Sequence, residues 1–383
     1  MNYTYSSIVK LMVLWLVIIA CESKKDKTES KSIHSDQTIK VDLSAFADGI
    51  HHWELFATNF AYERLAEDDF ESIADNFVKY QNSDGGWPKN MDWLAIIDVD
   101  SLKATLKERQ NQSTFDNDNT HSQIDFLARM YANTEKESYK ESVVKGLNYI
   151  LETQNASGGW RGWDVDAITY NDNVTNGIMD LLLDIRLREP YYDWLDAALR
   201  QQLDSALDRA IETTLNCQIV VDGVRKGWCQ QHSHEDFKPV KGRSFELPSV
   251  VSRESVEILR FLMRIPNPNE EVIISIESGV QWLEASALYN IRVEDIPIPA
   301  DTYPGQNLDV DRKVVVDSTA ARIWSRFYQI EDNVPFMCRR DSTKVYSLAE
   351  VNPERRGGYA WYGYWPEKLL SKDYPKWKER NGL

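Results

Sequence analysis

Cysteine is scarce in this chain, four residues among 383. Small disulfide-built folds are excluded, because they replace a core with several bridges in a much shorter chain. Cations are outnumbered too, with 44 Lys and Arg against 60 Asp and Glu and a net charge of −16. A broad nucleic-acid or anionic-membrane face needs a dominant cationic field, so no nucleic-acid partner is expected. The basic residues that do occur are gathered: Arg225, Lys226, Lys238, Lys241 and Arg243 in one segment, then the pairs Arg339-Arg340 and Arg355-Arg356. Such groups suit either an acidic ligand or a solvated face. Strand signals are few, the best being Ile219 to Val224 and Val314 to Val316. A mainly α fold is therefore expected.

Long apolar runs are limited to Leu11 to Ala20, which stops directly at Cys21. That is too short for a comfortable membrane span, and Ile18-Ile19-Ala20-Cys21 has the form of a bacterial lipoprotein cleavage site. Cys21 is the expected lipidated residue, anchoring an exported chain to the cell envelope. From Glu22 to about Lys40 the sequence is Ser, Lys, Asp, Glu and Gln, which cannot offset its own ordering entropy. The expected organisation is a signal over 1–20, a tether over 21–45 and one folded domain over 46–383, acting as a monomer. The remaining Cys217, Cys229 and Cys338 are odd in number. Cys217 and Cys229 can pair, whereas a zinc site from these two with His232 and His234 lacks the short C-x-x-C spacing.

What the chain does contain is a repeat. Gln81-Asn82-Ser83-Asp84-Gly85-Gly86-Trp87 returns as Gln154-Asn155-Ala156-Ser157-Gly158-Gly159-Trp160. Helical spacing precedes each copy, over Phe70 to Tyr80 and Val143 to Thr153, and follows it at Ile124, Leu127, Ala128, Met130 and at Ile178, Leu181, Leu182. The unit is thus helix, Gly-Gly-Trp turn, loop, helix, the economy of a partial α/α toroid of paired helices with long rim loops. A third, diverged unit starts at Cys217-Gln218, passes Gly227-Trp228 and reaches the helix pattern Val256, Ile258, Leu259, Phe261, Leu262. Thirteen tryptophans and 18 tyrosines serve a large core or a carbohydrate cleft.

The loops before the helices carry Asp116-Asn117-Asp118-Asn119, Asn171-Asp172-Asn173 and Lys241-Gly242-Arg243. Carboxylates and amide carbonyls are hard ligands suited to calcium, although any one cluster alone reads as a helix cap. Recurrence at equivalent points of two repeats favours a shared site at one rim.

Six ordered motifs resemble those of polysaccharide lyase family 10, the pectate lyases with a partial α/α toroid. They are Asp84 to Asn90, Phe115-Asp116-Asn117, Ile168 to Asp172, Trp228 to His232, Pro239 to Arg243 and Gly358 to Gly363, within a similarity running from about Ala61 to Trp365. The resemblance implies that Arg243, ahead of Phe245-Glu246-Leu247-Pro248-Ser249, is the catalytic base. It further implies that Asp116 and Asp172 contact calcium or substrate, and that Arg340 holds a substrate carboxylate. Asn117, Trp228, His232 and Tyr362 are the other expected substrate contacts. Arg339, Gly242 and Ser244 depart from the family's usual pattern and bear on subsite preference.

The implied reaction is calcium-assisted anti β-elimination on α-1,4-linked galacturonan. The C5 proton lies beside the C6 carboxylate, and the C4 oxygen leaves from the opposite face, so a base can cleave without water. Guanidinium is normally protonated in proteins, which makes Lys241 the rival base. His232 and His234 also read as ordinary loop or cleft polar groups, and Trp87 and Trp160 as core wedges. Tyr359, Trp361 and Tyr362 divide between core and cleft. Two other readings stay open: a surface lipoprotein that captures uronate glycans without cleavage, and an α/α-toroid glycoside hydrolase using paired carboxylates and water.

Overall fold

In Phe70–Tyr80 the residues Ile73, Ala74, Phe77 and Tyr80 fall on one helical face, and all are buried. The same periodicity builds the rest of the chain. The structure, a computed structural model, describes residues 39–56, 62–96, 98, 100, 103, 108–303 and 308–383. Its longer helices are α1 (Ala47–Phe56), α2 (Phe70–Tyr80), α3 (His121–Thr134), α4 (Glu137–Thr153), α5 (Val174–Arg186), α6 (Ala197–Asn216), α7 (Ser252–Arg264) and α8 (Glu270–Ala285). Strands are mostly of two residues, and none closes a barrel among the described residues.

Each consecutive pair α3/α4, α5/α6 and α7/α8 packs face to face. Helix α3 also touches α5, and α5 touches α7, while α4 touches α6 and α6 touches α8. Two rows of helices follow, joined by one large core that takes in Trp87, Trp160 and Trp228.

The repeated turn is what holds neighbouring units together. Gly85 and Gly158 both sit at φ +97°, and a Cβ there would meet the Lys145 carbonyl oxygen at 2.3 Å or the Arg209 carbonyl oxygen at 2.6 Å. Glycine is needed on both counts. Gln81 Nε2 donates to the carbonyls of Gly85 and, in α4, Ser142 (2.8 and 2.9 Å). Gln154 Nε2 does the same to Gly158 and, in α6, Ala206 (2.8 Å each). In the third unit Gln218 Nε2 reaches Lys226 and, in α8, Ser275 (2.8 and 3.0 Å). The indoles close each turn from the other side, Trp87 donating to Phe77 O, Trp160 to Ile150 O and Trp228 to Thr214 O.

A four-stranded antiparallel sheet, ordered Lys344–Val345, Pro335–Cys338, Phe327–Tyr328, Val250–Val251, has its last strand running straight into α7. Phe327 pairs with Val251, and both belong to a second core with Phe245, Tyr359 and Trp361. The expected strand stretches appear as a small hairpin, Val220–Val221 with Val224–Arg225, and a longer one, Ile291–Pro297 with Val310–Val316.

The folded unit starts earlier than position 46. Ile39 exchanges two backbone hydrogen bonds with the Asn133 amide (3.0 and 2.9 Å). The expected signal and Cys21 lie outside the described residues. Among those residues no helix is long and apolar enough to cross a membrane. Cys217, Cys229 and Cys338 are buried, unbridged thiols.

Candidate active site

Two loops converge where the repeat predicted. The Asp118 amide faces the Asp172 carbonyl at 3.4 Å, and Asn173 Nδ2 donates to Asp118 Oδ1 at 2.6 Å. The backbone there is unusual: Asn117, Asp118, Thr120, Asp172 and Asn173 all have φ between 50° and 63°. Such conformations are uncommon outside glycine, and for a β-branched residue such as Thr120 they are strained. The Asp/Asn clusters are not caps, since neither Thr120 before α3 nor Asn173 before α5 makes a side-chain cap bond. Ordinary helix starts do not require such backbone, so the loops are shaped for something else.

Asp116 is buried, and Lys89 Nζ meets its Oδ2 at 2.5 Å. Asn117 Nδ2 is held by Asn90 Oδ1 at 3.1 Å. Asp172 Oδ2 accepts from Asn171 Nδ2 at 2.8 Å and stands 3.9 Å from Arg243 Nη2. Burial, reinforced by the charges of Asp116 and Glu246, pushes Asp172 up to about 7, against the pull of Arg243 and Arg326. Two mutually repelling carboxylates on neighbouring loops are what a hard cation relieves, and Lys89 already plays that part at Asp116. The donor set therefore fits calcium at Asp116 and Asp172, with further ligands left to substrate and water. Among the described residues no three His, Cys, Asp or Glu groups converge as a self-sufficient metal site.

Arg243 lies on a tight turn in which Gly242 N donates to Glu246 O and Glu246 N to Arg243 O (2.9 Å each). Its Nη2 donates to Glu246 Oε1 at 2.6 Å, and Tyr359 Oη reaches the same oxygen at 3.2 Å. Behind them lies a buried chain: Gln230 Nε2 bonds Asn171 Oδ1, Glu254 Oε1 and Tyr359 Oη, and Arg326 bonds Asn171 and Glu254. Arg243 and Asp172 are thus set by one polar network. Burial works against the charge of Arg243, but Glu246 and Asp172 hold its pKa above the ordinary arginine value.

The other expected residues divide. Lys241 is exposed and donates to Ser342 Oγ at 2.8 Å, on the outer side of this turn. Arg340 pairs with Glu354 at 2.6 Å. Trp228 has no exposed surface and belongs to the core, not to a sugar platform. His232 is equally buried: Nε2 accepts from Cys229 N at 2.9 Å and Nδ1 donates to Phe237 O at 2.7 Å. Tyr362 lines two clefts beside the Ile291–Pro297 hairpin, with Arg312 and Arg356 on both walls.

Three residues that sequence reasoning passed over belong here. Lys89 sits two residues past the repeated turn, in the motif Asp84 to Asn90, and Glu246 in the run after Arg243. Arg355 stands in the sequence as one of a basic pair with Arg356. Its guanidinium lies over Phe245 and Tyr359, 4.1 and 4.8 Å from the ring centres, and makes no ion pair among the described residues. Burial pushes it down to about 10, with Arg340 and Arg243 adding like-charge repulsion. A crowded, unpaired guanidinium beside Arg243 is a ready receptor for an external carboxylate.

The pectic acid lyase family profile matches residues 81–370. A family 10 polysaccharide lyase from Cellvibrio cellulosa has a similar fold, with TM-score 0.66 and 24% identity over 90% of this chain and 99% of that one. A mutant of that enzyme in complex with trigalacturonic acid matches with the same score and identity over 88% and 98%. No curated protein sequence matches the chain. With its profile match spanning most of its length, the chain belongs to the pectic acid lyase family and is a polysaccharide lyase.

Proposed function

We propose that this enzyme is a pectate lyase, cleaving α-1,4-linked galacturonan by calcium-assisted anti β-elimination from a lipid anchor at Cys21. The observation that carries the reading is the meeting of Asp172 with Arg243, 3.9 Å apart, inside a chain of the pectic acid lyase family. The helix rows fit a partial α/α toroid whose rim loops form the cleft, and the neighbour's bound trigalacturonic acid supports an oligogalacturonate substrate.

Asp116 and Asp172 would hold calcium, which when bound supplies positive charge that acidifies the C5 proton of an adjoining uronate. Arg355 and Arg340 receive uronate carboxylates, and Asn117 hydrogen-bonds the chain. Arg243 is the group aimed at the C5 proton. Its grip by Glu246 orients the guanidinium but also keeps it protonated, so acting as base requires the cations that gather with substrate to outweigh Glu246. Lys241, turned outward to Ser342, is less well placed for the task.

The test is purified protein on polygalacturonate, with and without chelator. Unsaturated, ultraviolet-absorbing chain ends that vanish with chelator and return with calcium are expected. Saturated ends would mean hydrolysis, and binding without new ends would mean a capture protein.

A further inference from the structure

Trp163 falls in none of the motifs, yet two cations converge on its ring. Lys89 Nζ lies 4.8 Å and Arg109 Cζ 4.7 Å from the ring centre. The half-buried indole is a wall shared by two clefts, one of about 180 Å³ against Lys89 and Asn90, the other of about 680 Å³ against Phe115, Tyr149 and Arg161. Both adjoin the catalytic loops. Phe115 directly precedes Asp116, Lys89 holds Asp116, and Asn90 holds Asn117.

The guanidinium groups beside the indole, Arg161 on the wall of the larger cleft and Arg109 against the ring itself, are available to a ligand. Arg161 is exposed and makes no ion pair among the described residues; its Nε donates to Gly162 O at 3.3 Å. Arg109 pairs with Asp164 at 3.1 Å, but the two side chains are 58% and 44% exposed. A pair so wet contributes little and yields readily to a competing carboxylate. Asp84, the carboxylate on the same wall, is occupied by Gly86 N and Ser113 Oγ at 3.0 and 2.7 Å. An aromatic wall with guanidinium groups beside it suits a pyranose ring that carries a carboxylate, the ring packing on the indole and the charge meeting the fork.

We propose that Trp163, Arg109 and Arg161 form a further uronate subsite, beside Asp116, which binds a galacturonate unit beyond those at the reacting bond. The inference rests on the galacturonan reading and adds a preference for longer chains.

Calorimetric titration of the full chain carrying Arg243→Ala, so that nothing is turned over, with galacturonate trimer and decamer tests it. The decamer is expected to bind about tenfold tighter than the trimer, about 1.4 kcal/mol. Adding Trp163→Ala, or Arg161→Gln on an exposed side chain that folding does not need, should remove most of that advantage without lowering Tm. A decamer advantage that survives both substitutions, or no advantage at all, overturns the subsite and leaves the lyase reading standing. If neither oligomer binds while polygalacturonate is also left uncut by the unmutated chain, both readings fall together.

Discussion

Asn173 Nδ2 donates to Asp118 Oδ1 across 2.6 Å, fastening a loop of the second repeat to its counterpart in the first. The bond joins residues 55 positions apart, each in the left-handed region. Asp116 and Asp172 are carried by these two loops, so their spacing depends on that contact. Asn173→Ala should cost about 2 kcal/mol of stability, the lost bond plus the strain of alanine at positive φ. The calcium concentration for half-maximal activity should rise several-fold. Equal calcium dependence in mutant and parent would show that the loops hold their spacing without it.

Replacing Asp116 or Asp172 by Ala tests the metal role directly. Each should raise the calcium requirement at least about tenfold while leaving the protein folded. Normal calcium dependence in both variants, by titration of chelator-treated enzyme, would send the search for the metal elsewhere.

For Arg243 the expected loss on substitution by Ala is in kcat, about 10²- to 10⁴-fold, with oligogalacturonate affinity largely kept. Arg243→Lys should recover little, because a point charge on a flexible stem does not reproduce the fork that Glu246 orients. Lys241→Ala should be milder. The reverse order in steady-state kinetics would make lysine the base and Arg243 a carboxylate clamp.

His232 supplies a pH dependence of stability. Burial pushes its pKa down from 6.5 to about 4, and the bonds to Cys229 N and Phe237 O fix a neutral tautomer. The unfolded chain takes up this proton below about pH 6.5, and the folded chain does not until about pH 4. The contribution is therefore fully present above pH 6.5 and is lost as pH falls toward 4, on the order of 3 kcal/mol in all. Urea unfolding across this window should show the slope, and His232→Gln should flatten part of it despite lowering stability overall.

The turns could be read from sequence because their chemistry is local. Gly85 and Gly158 need the same φ, and Gln81 and Gln154 make the same bonds, so the repeat announced both. Helix α2 begins and ends where its apolar spacing said. The loops were harder: Asp116 and Asp172 were visible as a recurring pattern, but cap chemistry and ligand chemistry use the same residue types. Trp228 and His232 sit among motif residues, and only packing reveals that neither reaches the cleft. Lys89 and Arg355 went unmarked because their meaning comes from partners far along the chain, Asp116 for one and the rings of Phe245 and Tyr359 for the other. Ile39 looked like tether for the same reason, since its partner is Asn133.

The glutamine of each of the three turns takes its second acceptor from a helix that comes later: Ser142 for Gln81, Ala206 for Gln154 and Ser275 for Gln218, at separations of 61, 52 and 57 residues. A chain delivered N-terminus first, from the ribosome or across a membrane, therefore cannot finish any turn when that turn appears. At about 5 to 20 residues per second, each must wait several seconds for the carbonyl that completes it. Vectorial delivery makes the acceptors available in the order of the turns, the first before the second and the second before the third, with the last, Ser275, arriving only when most of the polypeptide is already out.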